Sequence, residues 1–330
     1  DLVHPRMLLV CGELEASLPA VLEAIRSGID EPERLVERSG SLTYFEPGAK
    51  EWRGEGRFER VADLTRLAAV WGDDESMEAH AGGAGWIELS RGCRYACGFC
   101  VACSMGDGDV RSHSPGRIRQ EIEAASRRGV KLFGLLAAAV NYDLESLRAA
   151  AGALGGAGAG ERRVAGTVHA RFASDERLEL MSAMQWETMI VGLQTTTAEA
   201  QRLMRRGEQR ESFAAAIERL ASLCVPEVEL ILGLPGDTAA GFEQTVRFAL
   251  TLPASVSIYR LRLDPWASFM LNREALGLDA DFGHEGRVTS TPTFTVDEID
   301  AAERWIRELP RGAWTHRARQ LVLDGVPLRR

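Results

Sequence analysis

A regular alternation of strand-like and helix-like segments constrains the fold of this 330-residue chain more than any other feature. Six short apolar runs are typical of buried strands and lie at residues 86–90, 131–137, 164–172, 188–194, 228–234 and 256–263. Six helical patterns separate them, at residues 115–128, 144–154, 175–185, 197–205, 212–223 and 241–252. Helical crossovers of this kind connect parallel strands. The alternation therefore predicts a parallel α/β sheet, either open and doubly wound or barrel-like with six βα units.

The flanking regions are less regular and predict three segments. Residues 7–12 and the amphipathic pattern up to Gly28 predict one strand and one helix. Residues 29–85 are irregular apart from a strand expected at 41–45, and a glycine-rich stretch closes them. The last region contains one clear helix, at 296–309. We predict domains at 1–84, 85–265 and 266–330, and we interpret a chain that starts at Asp1, without an initiator methionine, as the remainder of a longer protein.

Composition excludes several classes of function. Hydrophobic residues make up 45% of the chain and charged residues 26%, which is ordinary for a folded domain. No apolar run reaches the roughly 18 residues of a membrane span, and no signal peptide is evident. The net charge of −9 disfavours binding to a phosphate backbone. The sequence thus predicts a cytoplasmic protein that acts on a small molecule, away from membranes and nucleic acids.

The cysteines are the strongest chemical signal. Four of the six lie within eleven residues: Cys93, Cys97, Cys100 and Cys103. The first three have the spacing C-x₃-C-x₂-C on a loop after the first predicted strand of the alternating region, where α/β sheets place their ligand sites. Thiolates bind iron in iron–sulfur clusters, and three of them leave one iron of a cubane without a protein ligand. A structural zinc site would instead use two separated cysteine pairs or histidines.

We therefore predict that Cys93, Cys97 and Cys100 bind a cluster. Cys103 has three interpretations: a fourth ligand, a catalytic thiol or, as we favour, a buried bystander. The two isolated cysteines, Cys11 and Cys224, lie in apolar contexts and are expected in the core.

This cysteine motif, with Phe99 directly before the third cysteine, resembles the signature of the radical S-adenosylmethionine (SAM) superfamily. The resemblance extends from about Gly85 to Leu263. Residues 110–115, 191–196 and 229–238 are similar to the branch that carries cobalamin-binding domains. Residues 8–28 resemble the closing unit of such a domain, although Leu14 replaces the second glycine of its usual Gly-Glu-Gly-Glu pattern.

The resemblance implies an α/β fold: a partial (βα)₆ barrel, preceded by the closing part of a Rossmann-like cobalamin-binding domain and followed by a short α-rich tail. It implies a [4Fe–4S] cluster and SAM as cofactors, with cobalamin as a further candidate. By position, Arg171 would meet the methionine carboxylate and Gln194 the ribose, whereas Phe99 and the turn with Gly233 and Gly236 would lie near the adenine. Arg171 could equally be a surface charge and Gln194 a strand-end hydrogen-bonding group.

Several functions follow from the resemblance. The first is cobalamin-dependent C-methylation of a small molecule, with an electron donor such as flavodoxin or ferredoxin. The second is a radical rearrangement, cyclisation or dehydration without methyl transfer. The third is a non-catalytic electron-transfer protein. A tRNA methylthiotransferase ranks low, because it needs a second cysteine triad that this sequence lacks and the acidic charge opposes tRNA binding.

Overall fold

The computed structural model describes residues 7–46, 48–49, 51–71, 83–104, 108–155, 160–309, 320–323 and 326–328. The chain divides into two compact units, Asp1–Ala68 and Ala69–Arg330. The division falls before residue 84 because Trp71 belongs to the core of the larger unit. Its backbone N–H donates to Glu121 at 3.1 Å and its indole N–H to the carbonyl of Trp86 at 3.0 Å.

The smaller unit contains the strand and helix expected near its start. Its elements are β1 (Leu8–Val10), α1 (Leu14–Arg26), α2 (Pro32–Leu35), β2 (Leu42–Glu46) and β3 (Glu51–Arg53). Helix α1 buries Val21 and Ala24 in a small core with Leu35 and Leu42. The sheet has the order β1-β2-β3 and all its pairs are antiparallel. Within the described residues, β1 therefore lacks the parallel neighbours of a Rossmann-like sheet, because β2 returns antiparallel to it after the helices between them.

The larger unit is built on an eight-stranded sheet. In chain order the strands of the larger unit are β4 (Ala84–Glu88), β5 (Ser90–Arg91), β6 (Arg111–Ser112), β7 (Leu132–Leu136), β8 (Arg163–Thr167), β9 (Gln185–Gln194), β10 (Glu227–Leu232), β11 (Ser255–Arg260), β12 (Asp279–Asp281), β13 (Arg287–Ser290), β14 (Gln320–Leu323) and β15 (Val326–Leu328). The large sheet has the order β4-β7-β8-β9-β10-β11-β14-β15. All its pairs are parallel except β14–β15. A doubly wound sheet would reverse its strand order, so the consecutive order favours the barrel-like alternative.

Helices lie between the strands of this unit along the chain. They are α3 (Val101–Ser104), α4 (Pro115–Arg127), α5 (Leu144–Leu154), α6 (Asp175–Ser182), α7 (Ala198–Leu203), α8 (Arg210–Leu220), α9 (Ala239–Ala249), α10 (Ser268–Leu271) and α11 (Val296–Arg307). Helix α4 begins as its sequence predicts, because Ser114 accepts the N–H of Arg117 and Pro115 occupies the first turn. Phe213 of α8 and Phe242 of α9 are fully buried, as is Phe133 of strand β7. No helix of the described residues is long and apolar enough to cross a membrane.

The C-terminal region contributes strands as well as the expected helix. Strand β14 adds a seventh parallel strand beside β11, and β15 pairs with β14. These strands have four and three residues, and β15 contains Pro327, which removes a backbone donor. Segments so short give no recognisable alternation, so the sequence predicted an α-rich tail only.

A buried carboxylate joins two strand ends at the mouth of the barrel. Asp237, in the turn after β10, is fully buried. It accepts hydrogen bonds from the hydroxyls of Thr195 and Thr197, at 2.9 and 2.7 Å, and from the N–H of Thr238 at 2.8 Å. Burial raises the pKa of Asp237, and these hydrogen bonds oppose that rise. The carboxylate thus ties the segment after β9 to the turn after β10.

Asp237→Ala is expected to lower the free energy of unfolding by about 2–4 kcal/mol, because it leaves buried donors without an acceptor. Urea denaturation followed by circular dichroism measures this loss. The matched control is Asp175→Ala, which removes a fully exposed carboxylate paired with Arg219 and should leave the midpoint nearly unchanged. Equal effects of the two substitutions would contradict a structural role for Asp237.

Candidate functional site

The cysteine loop is held at both ends and in its middle. Strands β5 and β6 pair on its two sides. Gly92 has φ +94°, and a Cβ there would lie 2.0 Å from the carbonyl oxygen of Asp109, so the close approach requires glycine. Within the loop, Gly98 donates its N–H to the carbonyl of Met204 at 3.0 Å and accepts the N–H of Phe269 at 2.7 Å. The loop is therefore fixed before any cofactor binds.

A charged network anchors the chain just before the loop. Glu88, at the end of β4, accepts hydrogen bonds from Arg91 at 2.7 Å and from the buried ring of His113 at 3.0 Å. Burial alone would raise the pKa of Glu88, but the hydrogen bonds from His113 and Arg91 outweigh it and lower the pKa to about 2. The carboxylate therefore stays ionised and holds the start of the loop to the first strand of the sheet.

Cys93, Cys97 and Cys100 line one cavity of about 190 Å³. None of the three is in a disulfide; Cys97 is buried and the other two are partly exposed. Among the described side chains, no three His, Cys, Asp or Glu residues converge on a point suited to one metal ion. A cubane does not need such convergence, because each thiolate would bind a different iron. Three cysteines around one cavity therefore fit a [4Fe–4S] cluster.

Four aromatic rings pack beside the cysteines: Tyr95, Tyr142, His169 and Phe172. The rings of Tyr95 and His169 stack at 4.7 Å with an angle of 5° between their planes. Although His169 Nε2 lies 3.6 Å from Glu208, burial and then Arg206 and Arg171 lower the pKa of His169 to about 3. The imidazole is therefore neutral near pH 7, and its Nδ1 accepts the N–H of Arg171 at 3.3 Å.

Three polar side chains from strand ends and turns line the same cavity: Gln194, Arg206 and Glu229. Arg206 donates to the carbonyl of Gly192 at 2.6 Å, and its Nε is buried without a hydrogen-bond partner in the described part of the chain. Burial and Glu227 raise the pKa of Glu229, and Arg206 opposes the rise. A cation, an amide and a carboxylate thus lie around the cysteines. Together these groups can bind a zwitterionic ligand that also has hydroxyl groups.

The structure brings two predicted SAM contacts to this cavity, Phe99 and Gln194. Arg171 is not among the lining residues, and it does not end the third strand as predicted. Strand β8 ends at Thr167, and the chain then turns, because His169 accepts the N–H of Arg171. The guanidinium of Arg171 binds the carboxylate of Glu208 at 3.3 Å and the carbonyl of Gly207. Its contact with SAM stays a prediction that this geometry does not favour.

Gly233 and Gly236 lie in the turn after β10, with φ of +88° and +79°. Neither lines the cysteine cavity. A Cβ at Gly236 would come within 2.9 Å of Glu199 and Leu203, so this glycine lets the turn pack on α7. Their place near the adenine stays a prediction, as does the role of Cys103, whose side chain lies outside the described residues.

Sequence reasoning missed Arg206 and Glu229. Glu229 left a signal, since it is the single carboxylate of the strand predicted at residues 228–234. Arg206 left no signal in the sequence. It follows α7 in a turn in which Arg205 has φ +56°, and only the folding of the chain brings it to the cavity. A second hollow, of about 470 Å³, borders Phe99, Tyr259, Arg262 and Asp264.

A consecutive parallel sheet with three cysteines on the loop after its first strand is typical of a cluster-binding α/β barrel. Residues 87–249 match the Radical SAM superfamily. The chain thus contains a radical SAM domain, as its cysteine motif indicated, and this domain implies a [4Fe–4S] cluster and SAM as cofactors.

Relatives in sequence are tRNA-modifying enzymes. The tRNA-2-methylthio-N(6)-dimethylallyladenosine synthase of Frankia alni is 30% identical over 180 residues, which are 49% of this chain and 34% of that protein. Its counterpart in Salinispora arenicola is 28% identical over 178 residues, again 49% and 34%. The chain thus spans about a third of the length of the curated relatives it matches.

Solved structures share the fold. TsrM from Kitasatospora setae, a radical S-adenosylmethionine methyltransferase with cobalamin and a [4Fe–4S] cluster bound, has a TM-score of 0.63 and 16% identity, covering 82% of this chain and 54% of its own. OxsB, a cobalamin-dependent S-adenosylmethionine radical enzyme, has a TM-score of 0.68 and 13% identity, covering 93% and 51%. The predicted partial radical SAM barrel is confirmed as a fold.

Proposed function

We propose that this chain forms the catalytic part of an enzyme that cleaves SAM reductively and starts radical chemistry on a small molecule. The cavity that unites Cys93, Cys97 and Cys100 with Gln194, Arg206 and Glu229 carries this proposal. When bound by these cysteines, a [4Fe–4S] cluster would supply one electron to SAM, whose carbon–sulfur bond would break to leave methionine and a 5′-deoxyadenosyl radical. A flavodoxin or ferredoxin is the proposed electron donor.

The residues around the cysteines would bind and orient SAM. The guanidinium of Arg206 has buried donors beside the cysteines and suits the methionine carboxylate. Gln194 and Glu229 lie on neighbouring strands, where an amide and a carboxylate can hold the two hydroxyls of a ribose. His169 is neutral near pH 7, so it adds no repulsion toward the positive sulfonium.

We propose that the substrate occupies the hollow next to Phe99. Phe99 borders both this hollow and the cysteine cavity, so a molecule there lies beside the site of radical formation. Tyr259 offers a flat apolar surface, and Arg262 and Asp264 offer one charge of each sign. A small molecule with both aromatic and charged groups would suit this lining.

Cobalamin-dependent C-methylation is the reaction we favour, because the fold is shared with TsrM and OxsB over most of this chain. The described residues of the smaller unit contain no histidine to bind cobalt, and no step above depends on cobalamin. A radical reaction without methyl transfer remains the alternative. Methylthiolation of tRNA is a second candidate, favoured by the sequence relatives and opposed by the net charge of −9.

Anaerobic reconstitution with iron and sulfide, followed by SAM and a strong reductant, tests the proposal. We expect 5′-deoxyadenosine to form. Adding hydroxocobalamin and observing bound corrinoid together with S-adenosylhomocysteine supports methylation, whereas a methylthiolated nucleoside after incubation with bulk tRNA supports the second candidate. A reconstituted protein that holds a cluster but releases no 5′-deoxyadenosine would contradict radical initiation.

A further inference from the structure

The hydroxyl group of Tyr142 contacts one of the predicted cluster ligands. Tyr142 lies in the loop between β7 and α5, its side chain is buried, and it lines the cysteine cavity. Its hydroxyl hydrogen-bonds Cys93. The ring meets Phe172 edge-on with 4.9 Å between centroids and lies 5.8 Å from the ring of His169. These contacts leave the ring few orientations, so the hydroxyl direction is set by packing.

The backbone of this loop is held equally firmly. The side-chain amide of Asn141 donates to the carbonyl of His169 at 3.0 Å and accepts its N–H at 2.9 Å, and Asn141 is fully buried. Arg177 donates to the carbonyls of Asn141 and Tyr142, at 2.8 and 3.4 Å. Asn141 and Arg177 therefore fix the backbone at Tyr142, an arrangement that preserves the hydrogen bond of its side chain.

We propose that Tyr142 raises the reduction potential of the cluster by donating a hydrogen bond to the thiolate of Cys93. The inference rests on the proposed function, because it needs a cluster bound by that cysteine. Hydrogen bonds to the ligating sulfurs stabilise the more negative, reduced form of a cluster. Because the side chain of Tyr142 is buried, bulk water does not take the place of its hydroxyl when that group is lost. The loss of this one hydrogen bond should therefore change the reduction potential.

The direction of this hydrogen bond supports the role. A phenol O–H donates, whereas a thiolate sulfur has no proton and only accepts. An electron arriving at the cluster increases the negative charge on the sulfur, which strengthens this hydrogen bond in the reduced state.

Tyr142→Phe tests the proposal because it removes the hydroxyl and keeps the ring. We expect the midpoint potential of the reconstituted cluster, measured by a redox titration followed by electron paramagnetic resonance, to become more negative than in the wild type. The matched control is Tyr95→Phe, since Tyr95 belongs to the same aromatic group and lines the same cavity. We expect the midpoint of this control to stay at the wild-type value.

An unchanged midpoint in Tyr142→Phe, or an equal shift in Tyr95→Phe, would overturn the assignment. Should Tyr142→Phe take up no cluster, 3-fluorotyrosine at position 142 decides the question, because this more acidic phenol donates a stronger hydrogen bond. It should make the midpoint more positive, and an unchanged value would refute the tuning role. A wild-type protein that assembles no [4Fe–4S] cluster would instead defeat the proposed function itself, which separates the two failures.

Discussion

Alanine at Cys93, Cys97 or Cys100 is expected to abolish both assembly of the cluster and reductive cleavage of SAM. Each thiolate would bind a different iron, so the loss of one cysteine leaves two irons without protein ligands. SAM would then no longer have a single open iron to bind. Iron and acid-labile sulfide content after anaerobic reconstitution measure assembly, and 5′-deoxyadenosine formation measures cleavage. We expect complete loss of product in each of the three variants.

Cys224→Ala is the control for these substitutions. Cys224 packs against the core of the larger unit, and burial raises the pKa of its thiol to about 11, so it stays protonated near pH 7 and is a poor metal ligand. Its loss should leave iron, sulfide and product at wild-type levels. One of the three loop variants with wild-type cluster content, or a wild-type protein that holds one zinc ion instead of iron and sulfide, would refute the ligand assignment.

The sequence predicts those features of the fold that depend on local patterns. Helix α5 was expected at residues 144–154 and occupies Leu144–Leu154, because Asp143 caps its start and its apolar residues recur with helical spacing. The cysteine loop was equally accessible to prediction, since its ligands lie within eight residues. Strand order was not, because alternation is common to open sheets and barrels, and only the pairing of distant strands distinguishes them.

The parts of the candidate site whose residues are close in sequence were predictable. The parts that depend on contacts between distant segments were not. The third strand was expected to reach residue 172, which put Arg171 at its end. Periodicity cannot detect that the side chain of His169 bonds the backbone of Arg171 and ends the strand region early. Arg206 reaches the cavity because its guanidinium bonds the carbonyl of Gly192 on a different element. The spacing of apolar residues along the sequence does not reveal such a contact.

The two arginines, Arg171 and Arg206, differ in what their guanidinium groups contact. The guanidinium of Arg171 is committed to the buried carboxylate of Glu208, and its own side chain is 54% exposed. Arg206 lies within the cavity and approaches the ring of Tyr95, with 6.0 Å between its guanidinium carbon and the ring centroid. Of these two arginines, only Arg206 therefore combines a position beside the cysteines with a buried Nε that no group in the described part of the chain accepts from.

Arg206→Met is expected to raise the dissociation constant of SAM by about 10- to 100-fold, because a hydrogen bond to a charged group contributes about 1.5–3 kcal/mol. Isothermal titration calorimetry with the reconstituted protein measures this change, and iron content checks that the cluster remains. Arg206→Lys keeps the charge but not the planar pair of donors, so an intermediate affinity is expected.

Arg171→Met is the matched control for that substitution, since it removes the same group from a position outside the cavity. It should change the dissociation constant of SAM by less than about twofold, because its guanidinium is bound to Glu208 rather than directed at the cysteines. The two variants separate the two assignments of the carboxylate-binding arginine. Weak SAM binding in Arg171→Met, with wild-type binding in Arg206→Met, would restore the assignment made from the sequence and refute the one made from the cavity.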